Sequence, residues 1–423
     1  MAELGHTVIA IDTSTAKVAS LSRGEPPMFE PGLDELMAKV MPTGRLRFTT
    51  DYAQARAADV HFICVGTPQL RGGNAADTSY VFAAAQSLAP HLRDGALVVG
   101  KSTVPVGTAG RVRDCLQTGA PEGVHAHLAW NPEFLREGFA IQDTLAPNRF
   151  VYGVDGPTAA ADVALLDEVY AGPLAAGTPR IVTDYPTAEL VKGAANAFLA
   201  TKISFINAMA EVCEAAGADV VQLADALGHD DRIGRKFLTA GIGFGGGCLP
   251  KDIRAFMARA GELGAEQALT FLREVDAINL GRRPKTVALA REQCGGTLVG
   301  KRLAVLGAAF KPDSDDIRDS PALDVAESVR RAGAFVTVHD PKAMEAAEHV
   351  HPDLDYAGTV EAACVDADLV LHLTEWKQFR EIDPVKLATV VAHPRIIDGR
   401  NALDPVLWRE AGWAYRALGR PTI

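Results

Sequence analysis

No run of about 18 uninterrupted apolar residues occurs in the chain, so no membrane-spanning helix is expected. No basic segment precedes an apolar one at the start of this sequence, so no secretory signal is expected there. Positive charge is in deficit, with 42 Lys and Arg against 53 Asp and Glu, a formal net charge of −11. Nonspecific attraction to nucleic acid or to an anionic membrane is therefore not expected, and an anionic ligand must be gathered by local Lys and Arg. The six cysteines include no C-x-x-C pair, which suits reduced thiols, mostly buried as small hydrophobes. His125/His127 and His349/His351 are the only close histidine pairs, and neither has further ligands at zinc spacing, so no metal site is expected. These absences together predict a cytoplasmic protein acting on small molecules.

What is present is α/β alternation. A chain of 423 residues holds two or three domains. In the first part, "HTVIAID", "DVHFICVGTP", "GALVVGKSTVP", "HAHLAWNPEF" and "RFVYGVDG" read as strands of a parallel sheet. "TSYVFAAAQSLAPHL" and "TAGRVRDCLQ" read as helices between them. From Pro186 the period becomes helical, with a soft break at Gly217 and a second helical stretch from Asp252 to about Asn279. Strands return in "KRLAVLGAAF", "AFVTVHDP", "ADLVLHLTEW" and "RIIDGR", with "PALDVAESVRRAG" as a helix. The expected architecture is two Rossmann-like parallel-sheet domains, 1–185 and 296–423, joined by an all-helical central domain, 186–295. The first would hold a dinucleotide, and long central helices of this kind often pack against a second subunit.

The opening "MAELGHTVIAIDTS" has the form of the second half of a dinucleotide-binding βαβ unit. Gly5 would cap a first helix, and Asp12 would sit at the tip of a strand. There its carboxylate would take both ribose hydroxyls of an adenosine and repel a 2′-phosphate, which points to NAD. The first strand and its glycine loop are not in the sequence, so the first βα element is expected to be missing, with a marginal first domain and poor NAD binding as the consequence. The only literal G-x-G-x-x-G lies at Gly241–Gly246, where neither a buried strand before it nor an apolar helix after it supports a cofactor loop.

That window is better read as the delivery of a cysteine. Five glycines in residues 241–247 bring Cys248 to a place where backbone passes close to a ligand. Pro250 suits the first turn of a helix, so Cys248 lies at its N-terminus, where the macrodipole and Lys251 favour thiolate. Asp252 is four residues on, a spacing that could bring it near the sulfur as a hydrogen-bond partner or a proton carrier. Lys192 and Asn196 share a helix face, a cation and an amide suited to an oxyanion. In "NPEFLREG", Pro132 would open a helical turn carrying Glu133 and Glu137, either as dipole complements or as an acid/base pair. Gly66 and Thr67 end one strand and Thr103 another, at the carboxyl edge where ligands meet such sheets. Lys311, Arg318 and Arg400 are candidate anchors for a phosphorylated ligand, with surface salt bridges the alternative.

Taken together, "KSTVPVGT", "NPEFLREG", "ELVKGAANAFLATKISFINAMAEVCE", "DRIGRKFLTAGIGFGGGCLPKDIRAF", "AFKPDSDDIRDSP", "DPKA", "TEWKQF" and "DGRN" resemble the UDP-glucose/GDP-mannose dehydrogenase family over essentially the whole chain. The cysteine stretch and the "TEW" segment are most like members acting on UDP-glucose. The resemblance implies a four-electron oxidation of a sugar C6 alcohol to a carboxylate, with two NAD used in succession. It implies that Cys248 is the nucleophile and that Lys192 stabilises oxyanions. Asn196 and Thr103 would position oxygens and water, Asp252 would assist the thiol, and Glu133 would be the base for hydrolysis. Asp12, Lys17, Gly66, Thr67, Thr103, Glu137 and Arg318 fall on the cofactor side. Glu133, Lys192, Asn196, Phe244, Gly245, Lys311 and Arg400 fall on the sugar-nucleotide, and Arg232 resembles an arginine reaching the sugar from the neighbouring subunit of a homodimer. Gly247 stands where many relatives have Ser, and Leu249 where many have Phe, which bears on the sugar and not on the reaction. Three rivals stand beside UDP-glucose oxidation: GDP-mannose or another nucleotide-sugar as substrate, a two-electron β-hydroxyacid dehydrogenase needing no thiol, and a non-catalytic nucleotide-sugar binder.

Overall fold

The computed structural model describes residues 1–421. The chain divides into two compact units, Met1–Ala195 with Arg254–Gly264, and Asn196–Ile253 with Ala265 onward. Two helices, Tyr185–Ala216 and Leu249–Glu262, contribute residues to both.

In the first unit, a 3-10 turn over Ala2–Leu4 ends at Gly5, whose φ of 101° takes the left-handed cap the sequence predicts. Strand β1 (Val8–Ile11) pairs in parallel with β2 (Leu46–Thr49), and the two form a sheet of their own. A second sheet holds β3 (Val60–Ile63), β4 (Leu97–Gly100), β5 (His127–Trp130), β6 (Phe150–Gly153) and β7 (Arg180–Thr183), in that order. β4 and β6 are buried throughout and β5 nearly so, and successive residues of β4 feed opposite faces. Val98 joins the core formed with the helices Ser79–Leu88 and Thr108–Gly119, while Leu97 and Val99 join Phe150, Tyr152 and Tyr170. Gly100 has no Cβ because the Trp130 ring fills that space. The sheet is not parallel throughout: β5 and β6 run antiparallel, meeting at Trp130 and Gly153.

In the second unit, β8 (Arg302–Leu306), β9 (Phe335–His339), β10 (Asp355–Tyr356), β11 (Leu369–His372), β12 (Arg395–Asp398) and β13 (Ala414–Ala417) form one parallel sheet ordered β10-β9-β8-β11-β12-β13. The order reverses at β8, so the crevice between the tips of β8 and β11 is where such a sheet takes a ligand. The helical pattern after Pro186 becomes the Tyr185–Ala216 helix and, beyond left-handed Gly217, Val220–Gly228. The helix expected over 252–279 is instead two, Leu249–Glu262 and Phe271–Gln293. Left-handed Gly264 and a 3-10 turn at Glu266–Leu269 separate them, because a glycine at positive φ ends the hydrogen-bond ladder. Among the described residues no helix is long and apolar enough to cross a membrane.

Candidate active site

In the first unit, Asp12 follows β1, and its N–H donates to Thr49 O at 3.2 Å. Its carboxylate accepts from Ser14 N at 2.9 Å and from Lys17 Nζ at 2.7 Å, and the lysine bond holds its pKa below the usual carboxylate range. An acid held at a strand tip by a lysine fits the adenosine ribose end of a dinucleotide. The tips of β3 and β4 are laced together: Thr67 Oγ1 donates to Thr103 O at 2.7 Å, and Ser102 Oγ to Val65 O at 2.6 Å. Gly66, between these contacts, is exposed, and a Cβ built there would meet nothing within 4 Å.

Lys192 is 5% exposed, so its ammonium lies inside the fold. Its ammonium lies 3.1 Å from Glu133 Oε1 and 5.6 Å from the centre of the Phe134 ring. Glu133 and Glu137 do not sit on the helical turn expected after Pro132. The backbone there is irregular and the helix begins only at Ala140, because Glu133 Oε2 turns back to accept Leu135 N at 2.5 Å.

In the second unit, Cys248 is exposed immediately before the Leu249–Glu262 helix. Its carbonyl accepts Asp252 N–H at 2.9 Å, the first bond of that helix, so the cysteine is the N-cap residue. Asp252 is buried, with one oxygen on Asn196 Nδ2 at 2.6 Å and the other on Lys251 Nζ at 2.5 Å. Asp252 and Asn196 are thus paired at the first turn that follows Cys248. Gly247 faces the Arg318 guanidinium, which a Cβ would strike. A serine at 247 would thus have to turn Arg318 aside, and Arg318 in turn is forked onto Asp316.

Arg400 reaches further than the sequence suggests. Its guanidinium donates to Leu373 O at 2.7 Å, Gly243 O at 2.9 Å and Phe310 O at 3.0 Å, with Glu375 at 3.2 Å. It thereby ties the glycine segment to the tips of β8, β11 and β12. Asp398, just before it, is fully buried and accepts from Arg400 N, Ala402 N, Leu403 N and the Tyr415 hydroxyl. Lys311 lies over the Phe310 ring at 5.3 Å, and Gly245 packs against Asp319 O, which leaves no room for a side chain. Buried Phe244 sits among these segments, whereas Arg232 is 88% exposed and forked onto Asp230. The turn after β8 does not offer its amides to a phosphate as a dinucleotide loop would. Asp340 Oδ2 accepts Ala308 N and Ala309 N at 2.8 and 3.0 Å, filling that place with a carboxylate of the chain itself.

Several supporting residues escaped the sequence reading. Glu189, one turn before Lys192, is buried and accepts Gly107 N and Ala109 N. Asn207 and Asn279 hold the glycine segment. Glu189 shares the helical spacing of Lys192, a signal that could have found it, but nothing local marks its distant partners.

The comparisons cover nearly the whole chain. Three models match: the UDP-glucose/GDP-mannose dehydrogenase family NAD binding domain over residues 1–173, the central domain over 186–280 and the UDP binding domain over 304–405. The chain is 42% identical over 421 residues to a UDP-glucose 6-dehydrogenase of Rhizobium meliloti (strain 1021), covering 99% of this chain and 95% of that protein. It is 41% identical over 428 residues to UDP-glucose 6-dehydrogenase TuaD of Bacillus subtilis (strain 168), covering 100% of this chain and 90% of that one. A solved UDP-glucose dehydrogenase from Pyrobaculum islandicum superimposes with a TM-score of 0.89 at 37% identity, covering 99% of this chain and 93% of that one.

Proposed function

This chain belongs to the UDP-glucose/GDP-mannose dehydrogenase family, as an NAD-dependent oxidoreductase, and from that premise we propose that it oxidises UDP-glucose to UDP-glucuronate through a thioester on Cys248. The observation that carries the reading is Cys248 as an exposed helix N-cap, with buried Asp252 and Asn196 paired one turn along. Bound NAD supplies the hydride acceptor, one molecule for each two-electron step.

The chain's own side chains do the rest. Asp12 and Lys17 hold the adenosine ribose, with Gly66, Thr67, Glu137 and Arg318 on the cofactor side. Loss of a hydride and a proton from the C6 alcohol gives an aldehyde. The Cys248 thiolate adds to its carbon, forming a C–S bond and an alkoxide, which the Lys192 ammonium and the Asn196 amide stabilise. Collapse of the alkoxide expels the second hydride and leaves a thioester. Water placed by Thr103 loses a proton to Glu133 and attacks the thioester, and sulfur departs as thiolate. Asp252 takes and returns the thiol proton. Lys311, Arg400, Phe244 and Gly245 hold the nucleotide-sugar. In this reading residues 1–185 serve the cofactor and 296–423 the UDP-sugar, and 186–295 join two cytoplasmic copies as a homodimer, with Arg232 offered to the neighbouring copy.

The test is stoichiometry. Purified protein with UDP-glucose should form two NADH per sugar acid, and GDP-mannose should turn over far more slowly. Cys248→Ala should lose acid formation by about 10³-fold or more, the scale of removing a covalent nucleophile. One NADH per sugar, or acid formation that survives Cys248→Ala, would overturn the proposal.

A further inference from the structure

The segment before Cys248 cannot fix its own shape, because glycines leave it almost no side chains to pack. It is held from the helices of its own unit. Gly241 N donates to Asn207 Oδ1 at 2.9 Å, and Arg282 Nε donates to Gly241 O at 3.0 Å. Three residues on, one side chain takes both polar groups of Phe244: its N–H donates to Asn279 Oδ1 at 2.7 Å, and Asn279 Nδ2 donates to its C=O at 3.0 Å. Asn279 lies on the Phe271–Gln293 helix and is wholly buried. Gly243, at φ 95°, is shaped to it, since a Cβ there would come 2.5 Å from Asn279 Oδ1.

An amide that pairs with a buried peptide in this way sets the register of the backbone as a neighbouring strand would. Past Phe244 only Gly245, Gly246 and Gly247 lie before the cysteine. We propose that Asn279 is a positioning residue that sets where the Cys248 sulfur stands at its helix N-terminus. Leu249–Glu262 fixes the far end of the span, and within it Gly246 N donates to Arg318 O at 2.8 Å. Asn279 sets the near end, beside the Arg400 bond to Gly243 O, so losing the asparagine loosens the span at Phe244.

The proposal rests on Cys248 as the nucleophile, but the sulfur can be read directly, without turnover. In the ligand-free full-length protein, iodoacetamide labelling of each cysteine is followed by peptide mass spectrometry between about pH 6 and about pH 9. Asn279→Ala removes both bonds to Phe244, and Gly243→Ala crowds the same amide from the loop side. Each is expected to slow Cys248 labelling at neutral pH by roughly tenfold, as the sulfur leaves the place where the helix N-terminus favours thiolate. Exposed Cys64 should keep its rate, and buried Cys213, Cys294 and Cys364 should stay protected. An unchanged Cys248 profile in either variant overturns the proposal. So does a Cys248 change accompanied in both variants by exposure of the three buried thiols, which would make Asn279 a residue of the fold at large. If turnover of UDP-glucose fails while the labelling result holds, the functional reading falls and the positioning role stands.

Discussion

Lys101, at the tip of β4, points its ammonium at Asn131 Oδ1, 3.1 Å away, and lies 3.5 Å from the Tyr170 hydroxyl. Burial pulls its pKa from 10.5 down to about 8. An unfolded chain keeps that proton up to the ordinary lysine value, whereas the folded protein releases it near 8. Between the two values unfolding takes up a proton, so raising the pH through this window favours the folded state. Below it, the buried charge costs stability. Lys101→Met is therefore expected to raise the melting temperature at pH 7 and to flatten the rise in stability that the wild type shows from about pH 8 to about pH 10.5. The substitution strands no acceptor, because the Tyr170 hydroxyl still donates to Asn131 Oδ1 at 2.8 Å. Scanning calorimetry of both proteins across that range decides it, and parallel slopes would assign the pH dependence to other groups.

Among the elements, the Thr108–Gly119 helix shows how a site is braced from a distance. It starts at left-handed Gly107 without a side-chain cap of its own. Its first donors, Gly107 N and Ala109 N, go instead to Glu189 at 2.7 and 2.6 Å, while Arg259 Nε holds Val106 O at 2.9 Å. This fixes the "STVPVG" turn that carries Thr103. Glu189→Ala leaves the buried Ala109 N–H and the more exposed Gly107 N–H without their acceptor and should cost about 1–3 kcal/mol. Glu189→Gln, which keeps one acceptor, should cost less, and urea unfolding of the two variants measures the difference. The same example marks what the sequence makes legible. The 3.6 period put Lys192 and Asn196 on one helix face, and apolar runs ending in Gly, Pro or a polar residue located the central strands. The cysteine's N-cap place was legible because Pro250 and Asp252 are local signals. What stayed hidden was long-range or weakly patterned. Glu189 meets amides about 80 residues away. β7 lies at a sheet edge with Ile181 and Val182 exposed, so burial never shaped it into a buried run, and "AYRA" of β13 has no apolar run at all.

For the molecule as a whole, the Tyr185–Ala216 helix leaves a surface that its own chain does not cover. Phe198, Phe205 and Val212 are 67%, 46% and 56% exposed. They are spaced by seven, which on a helix is a single stripe drifting only about 20° per step. A line of large apolar side chains at heptad spacing suits the seam of a helix–helix contact, and in the homodimer proposed above a second copy of this chain would supply the matching seam. A net charge of −11 opposes self-association, so the apolar stripe must outweigh that repulsion. Replacing two of its members with carboxylates turns both terms against assembly. Phe198→Glu with Phe205→Glu is therefore expected to convert a dimer to a monomer in sedimentation equilibrium, with little change in helix content because both side chains already face out. Raising salt should restore little of the association, since the loss is of apolar contact and not only of charge balance. If Arg232 serves the neighbouring copy, the monomer should show a raised KM for UDP-glucose, and Arg232→Ala in the dimer should raise it similarly. A double variant that remains dimeric would place the subunit contact elsewhere, and a monomer with unchanged KM would return Arg232 to its own surface ion pair with Asp230.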